Sequence, residues 1–173
     1  MMAERAPLPY DYLRRVPAFT VVSDDLVEGG VLPDAHVYES GNLSPHLRWS
    51  GAPEETRGYA VTCFDPDAPT GSGWWHWLLV DIPADVTELP RGAGSGGMEG
   101  LPKGAVHGRN DYGTLDFGGA APPPGAPHRY VFAVHALAVE SIEVTPDQTA
   151  AVFGGTVNHH TLARAVLTVE YGV

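Results

Sequence analysis

One run of residues constrains this chain more than any other: Asp65-Pro66-Asp67-Ala68-Pro69-Thr70-Gly71-Ser72-Gly73-Trp74-Trp75-His76-Trp77. An apolar segment, Tyr59 to Phe64, enters it, and another, Leu78 to Ile82, leaves it. A surface turn has no need of three tryptophans. Proline fixes φ and removes a backbone donor, and the residue before it is pushed toward extended conformations. The connection is therefore rigid and extended and closes back on itself near Gly71 and Gly73. That geometry holds Asp65 and His76 at the mouth of two neighbouring strands, as the floor and wall of a small pocket. The competing reading is a proline-rich strand connection with a satisfied acid and a tryptophan cluster in the core.

Composition supports a β-rich chain. Charged residues make up 18% of the sequence, against roughly 25% in ordinary soluble domains. The 21 glycines and 16 prolines follow no repeat, which points to many turns and short strands. A length of 173 residues suits a single domain, with residues 1–17 as an N-terminal arm lying on its body. Apolar patterning is continuous over Tyr59 to Phe64, Trp77 to Ile82 and Tyr130 to Val139, so these strands belong inside a sheet or sandwich, the last of them at its centre. Phe19 to Val22 predicts a first strand and Ala165 to Tyr171 a final one. Thr145-Pro146 predicts a short helix over Pro146 to Val152 with Thr145 as its cap, and Val157 to Arg164 predicts a second. Arg91 to Gly100, with five glycines in ten residues, reads as a mobile, exposed loop.

Charge narrows the partners. The formal net charge is −11 and Lys103 is the only lysine. Without a basic patch the chain is not expected to bind nucleic acid, where phosphate neutralisation dominates affinity. No transmembrane segment and no signal peptide are expected, and Cys63 is a lone, buried thiol. The chain is read as soluble and cytoplasmic.

The residues that can carry chemistry are Asp65, Asp67, His76, His128 and Arg129, ringed by Trp74, Trp77, Tyr112 and Tyr130. Three chemistries compete. Two imidazoles and backbone N–H groups can hold an anion, with Asp65 raising the histidine pKa values and meeting any ammonium together with the tryptophans. Two histidines and one aspartate could form a metal triad, although no zinc spacing is present. A carboxylate beside histidines could do acid–base work; no Gly-x-Ser-x-Gly elbow is present. His36 and His46 are expected to be exposed, His135 to be a satisfied core histidine, and Arg129 to clamp Asp67.

Four segments in order resemble the phosphatidylethanolamine-binding protein (PEBP) family in its bacterial Raf-kinase-inhibitor-like branch. They are Ser44-Pro45-x-Leu47-x-Trp49-x-Gly51-x-Pro53; Asp65-Pro66-Asp67-Ala68-Pro69 with Trp74-Trp75-His76-Trp77; Asn110-Asp111-x-Gly113 with Gly118-Gly119 and Pro122-Pro123; and Gly125-x-x-His128-Arg129-Tyr130. The resemblance implies a mainly β, PEBP-like fold, with a large antiparallel β-sheet, a second smaller sheet and a few short helices. It implies a ligand pocket for phosphate, acetate or the phosphoethanolamine head group, made by Asp65, Pro69, Trp74, His76, Gly119, His128 and Tyr130, with Asp67 and Arg129 structural beside it and Pro122 to Pro124 as a wall. It also implies a cis bond at Ala68-Pro69, a homodimer, and no cofactor, metal or catalytic residue. An acid–base enzyme acting on a small biosynthetic intermediate, or a kinase-inhibitor-like interaction module, are the alternatives.

Overall fold

The computed structural model describes residues 4–173. In chain order its elements are α1 (Pro9–Tyr12), β1 (Thr20–Val22), a 3-10 turn (Asp34–His36), β2 (Leu47–Ser50), β3 (Gly58–Asp65), β4 (Trp74–Pro83), β5 (Glu88–Leu89), β6 (Val106–His107), β7 (His128–Leu137), α2 (Ala150–His160) and β8 (Thr161–Tyr171). Two antiparallel sheets result: five strands in the order β6-β4-β3-β7-β8, and three in the order β1-β2-β5. The expected large and small sheets are thus both present. The central strand is β3, not β7, because β4 and β6 lie on one side of it and β7 and β8 on the other. No helix among the described residues is long and apolar enough to cross a membrane.

The unbroken apolarity of β3 follows from cover on both faces; every one of its residues is buried. Tyr59, Val61 and Cys63 pack with Trp77, Leu79, Phe132 and Val134 against Leu47, Trp49 and Leu89 of the small sheet. Ala60 faces the other way, with Leu78, Val80 and Leu137 against Phe153 and Val157 of α2. Each large side chain buried in this way contributes roughly 1.5–3 kcal/mol.

Local chemistry explains where the expected elements move. Thr145-Pro146 opens a turn instead of a helix: Gln148 N–H donates to the Thr145 carbonyl at 3.0 Å, and Thr145 N–H to Gln148 Oε1 at 2.8 Å. The helix starts at Ala150, and Thr149 caps it by accepting from Val152 N–H at 3.3 Å. It continues through Val157 to His160, after which the chain turns extended, because Thr161, Ala163 and Arg164 pair with Leu137, Ala136 and His135 of β7. Within Arg91 to Gly100, Gly96, Gly97, Glu99 and Gly100 are exposed as expected, but Gly92 to Ser95 are tied to the body. Gly92 and Gly94 donate backbone N–H bonds to Ser44 O and Ser44 Oγ, and Ala93 and Ser95 are buried. A Cβ at Gly94 would fall 2.6 Å from the Trp77 ring, so the glycine lets the loop press onto the core.

His36 and His46 are buried, not exposed. His36 Nδ1 donates to Leu43 O at 2.7 Å; His46 Nδ1 accepts from Asp24 N–H at 2.9 Å, and its Nε2 lies 2.6 Å from Glu88 Oε1. Partners 7, 22 and 42 residues away in sequence take three of the four ring nitrogens, and His36 Nε2 is buried without a hydrogen-bond partner. His135 is the core histidine expected, bonded to Thr62 Oγ1 at 2.8 Å. The Cys63 thiol is buried, and burial pushes its pKa far up.

Candidate functional site

The cavity at one end of the large sheet has a volume of about 260 Å³. Asp65 ends β3, Trp74 and His76 begin β4, and His128 and Tyr130 begin β7, so three strand ends supply its floor. Pro69 and Thr70 come from the β3–β4 connection, and Tyr112, Ala121, Pro122 and Pro123 from the long connection between β6 and β7. All peptide bonds among the described residues are trans, Ala68-Pro69 included. The reversal between β3 and β4 is made at Gly71 and Gly73 instead, with φ of 80° and 74°, values that glycine adopts without strain.

A bulge aims His76 into the cavity. Cys63 pairs with Trp77, but Phe64 pairs with Trp75 and Asp65 with Trp74, so His76 is the extra residue in β4. Plain alternation would send His76 to the face opposite Trp77. The extra residue turns both side chains to the same face, the re-aiming that bulges supply beside functional sites. The β6–β7 connection holds the bulge: Trp75 N–H donates to Asp111 Oδ2 at 2.7 Å, and Gly118 N–H to His76 O at 2.9 Å.

The hydrogen bonds around His76 decide its tautomer. Nδ1 lies 2.8 Å from Gly118 O and 3.1 Å from Gly119 O. Carbonyl oxygens only accept, so Nδ1 carries the proton. Burial lowers the His76 pKa to about 4, outweighing those two bonds. The ring is therefore neutral at neutral pH, and its Nε2 presents a lone pair. For His76 this corrects the expectation of an imidazolium donor kept charged by Asp65. Asp65 is not a hydrogen-bond partner of His76; its Oδ2 accepts from His128 Nδ1 at 2.7 Å, and its Oδ1 from Asp67 N–H at 2.8 Å. Burial pushes the Asp65 carboxyl above its usual range despite the hydrogen bond and charge of His128.

Gly119 does not line the cavity. It lies behind the wall, where its carbonyl accepts from His76 and from Tyr112 OH at 2.7 Å. A Cβ there would sit 2.3 Å from His36 O. Arg129 clamps Asp67 as expected: its backbone N–H and Nε donate to Oδ2 at 2.9 and 2.8 Å, and NH2 to Oδ1 at 2.7 Å. The clamp fixes the β3–β4 connection to the first turn of β7. Trp77, an aromatic candidate from sequence, is a core residue that donates Nε1–H to His107 Nε2 at 2.9 Å. Ala68 and Thr70 line the cavity as members of the same proline-rich run, though not singled out as ligand residues, and Ala121 lines it without any sequence signal. Tyr112 had one, as an aromatic in a glycine-rich connection.

Three polar atoms of the lining residues are buried without a protein partner: Trp74 Nε1, His76 Nε2 and Tyr130 OH. Burial holds the Tyr130 phenol up, so it stays a hydroxyl. A buried polar atom without a partner costs roughly 1–3 kcal/mol. Three such atoms belong to residues lining this one cavity; the other three, His36 Nε2, Trp49 Nε1 and Thr56 Oγ1, are spread elsewhere.

A phosphatidylethanolamine-binding protein profile matches residues 22–172. The chain belongs to the phosphatidylethanolamine-binding protein family. It is 47% identical to YbhB of Escherichia coli over 156 residues, covering 87% of this chain and 98% of that one. It is 49% identical to YbcL of the same organism over 162 residues, covering 90% and 88%. The crystal structure of YbcL, described as a new member of the mammalian PEBP family, superimposes with a TM-score of 0.87 over 90% of this chain and 98% of that chain. A PEBP homologue from Chlamydia trachomatis, 26% identical, gives a TM-score of 0.77 over 90% and 98%. The two-sheet architecture described above is the PEBP fold.

Proposed function

We propose that the cavity binds the phosphate of a small ligand, as the free anion or as the head group of a phosphomonoester or phosphodiester, and that it binds without catalysis. The observation that carries this reading is the set of unpartnered buried atoms, Trp74 Nε1, His76 Nε2 and Tyr130 OH. An indole N–H donates only, a phenol donates or accepts, and a neutral imidazole with Nδ1 protonated accepts. A monoprotonated phosphate, with oxygens to accept and one P–OH to donate, satisfies all three. An ammonium group can take the place of P–OH at His76. The volume of about 260 Å³ falls below the roughly 300–1,000 Å³ of sites for drug-sized ligands, so it suits a head group and not an acyl chain. The family name supports the same ligand chemistry.

The test is titration of the full chain with inorganic phosphate and with phosphoethanolamine, followed by NMR of the histidine and backbone signals. Shifts centred on Asp65, His76, His128 and Tyr130 are expected. Tyr130→Phe removes an unpartnered hydroxyl, so it should leave stability unchanged or raise it by about 1 kcal/mol while weakening phosphate binding roughly tenfold. Equal affinity in the variant and the parent would overturn the reading.

A further inference from the structure

The opposite face of the large sheet carries a second cavity, of about 280 Å³, between the sheet, α1 and α2. Its walls are mainly apolar: Leu13 beside α1, Phe64 and Trp75 from the sheet, and Val157 from α2. One charged side chain lines it, Arg164, which is 6% exposed. Arg164 donates from Nε to His135 Nδ1 at 3.2 Å and from NH2 to Asn158 Oδ1 at 3.0 Å. The Tyr10 ring covers its Cζ at 4.2 Å. All of these partners are neutral. None of the ion pairs among the described residues includes Arg164; burial lowers its pKa, the Tyr10 phenol works against that, and a second cation, Arg14, adds to it. Arg14 itself donates to Asn158 O and Thr161 O beside the cavity.

An uncompensated buried guanidinium is unusual anywhere, since buried charges are ordinarily paired. Here it occurs in a chain with 21 acidic and 10 basic residues and a net charge of −11, none of whose carboxylates has been placed beside it. Two glycines sit in mid-helix in α2, where glycine is disfavoured relative to alanine: a Cβ at Gly154 would fall 3.0 Å from the Trp75 ring, so that glycine lets α2 close on the sheet, while a Cβ at Gly155 would meet nothing within 4 Å.

We infer that this cavity is a second ligand site, which takes a small monocarboxylate with an apolar or aromatic body. A guanidinium presents a planar fork of donors that matches a carboxylate, and Thr62 and Asn158 add neutral polar atoms at the lining. The single positive charge balances a monoanion. A mostly apolar wall with a few convergent polar groups is the usual make-up of a small-molecule site. The site shares no lining residue with the phosphate cavity, so the two stand or fall separately.

Benzoate is the probe, titrated into the full chain by NMR. A dissociation constant of about 1 mM or tighter is expected, with shifts at Thr62, Ala151 and Asn158, and none from cyclohexylamine, which has a similar body and the opposite charge. Arg164→Met should weaken benzoate at least tenfold. Ala151→Trp, at an exposed lining position on α2, should weaken it as much while leaving the guanidinium in place, and it decides the matter should Arg164→Met fail to fold. His128→Ala should leave benzoate binding unchanged. Shifts that are absent or centred on Asp65 and His128, or unchanged affinity in Ala151→Trp, would overturn the inference.

Discussion

Protonating His76 should cost the fold several kilocalories, and a single substitution can isolate that cost. In the folded chain burial lowers its pKa to about 4, against about 6.5 in an unfolded chain. The folded state therefore binds fewer protons than the unfolded state between those two values. The stabilisation is complete above about pH 6.5, is withdrawn as pH falls, and is exhausted below about pH 4. The gap corresponds to roughly 3 kcal/mol. Other buried histidines act in the same direction: His107 is also lowered to about 4 by burial, and His36 and His135 are lowered. Asp65, raised by burial, acts in the opposite direction. The parent alone cannot separate these contributions, but a comparison with His76→Gln can. Glutamine keeps an N–H for the Gly118 and Gly119 carbonyls and does not titrate. Urea unfolding of both proteins at several values between about pH 7.5 and 4.5 gives stability against pH for each. The parent should lose roughly 2–3 kcal/mol more than the variant over that range. Parallel curves, or an NMR titration midpoint for His76 near its ordinary value, would refute the argument and the tautomer on which the ligand reading rests.

Three further outcomes follow. Arg129→Ala leaves the Asp67 carboxylate without its two side-chain hydrogen bonds from the guanidinium. The backbone donor survives, so a loss of roughly 2–4 kcal/mol in urea unfolding is expected, with a double-mutant cycle against Asp67→Ala recovering the coupling. Gly119→Ala drives a Cβ to 2.3 Å from His36 O; it should destabilise the chain by at least about 2 kcal/mol and shift the His76 resonances, since the same glycine's carbonyl accepts from that ring. Calorimetry of phosphate binding in buffers of differing ionisation heat should show little net proton uptake near pH 7. Uptake close to one proton per phosphate would mean that His76 binds as a cation.

Much of the cavity was legible in the sequence because its residues stand at strand ends marked by proline and glycine. Asp65, Pro69, Trp74, His76, His128 and Tyr130 all line it, and the Asp67–Arg129 clamp follows from two oppositely charged residues beside the same pocket motifs. The protonation of His76 was not legible. It depends on carbonyls more than forty residues away and on burial that no local pattern encodes. His36 and His46 misled for a related reason: an isolated polar residue reads as exposed until distant partners satisfy it. The Arg91–Gly100 segment reads as loose by composition, yet Gly92 and Gly94 serve close approach to Ser44 and Trp77. Thr145 reads as the cap in sequence; the turn closed by Gln148 displaces the helix start, and Thr149 caps it instead.

The bulge in β4 makes the pocket separable from the scaffold. Remove His76 alone, and Trp77, Trp75 and Trp74 still stand opposite Cys63, Phe64 and Asp65, now as an uninterrupted pleat. Both hydrophobic layers would remain in step, and the imidazole would be gone. An ancestor with a plain strand here could therefore have acquired this wall of the pocket by a one-codon insertion, and a descendant could discard it by the reverse event. Length variation at this one point, more than substitution, is the change to look for when asking which relatives share the chemistry of the site and which share only its frame.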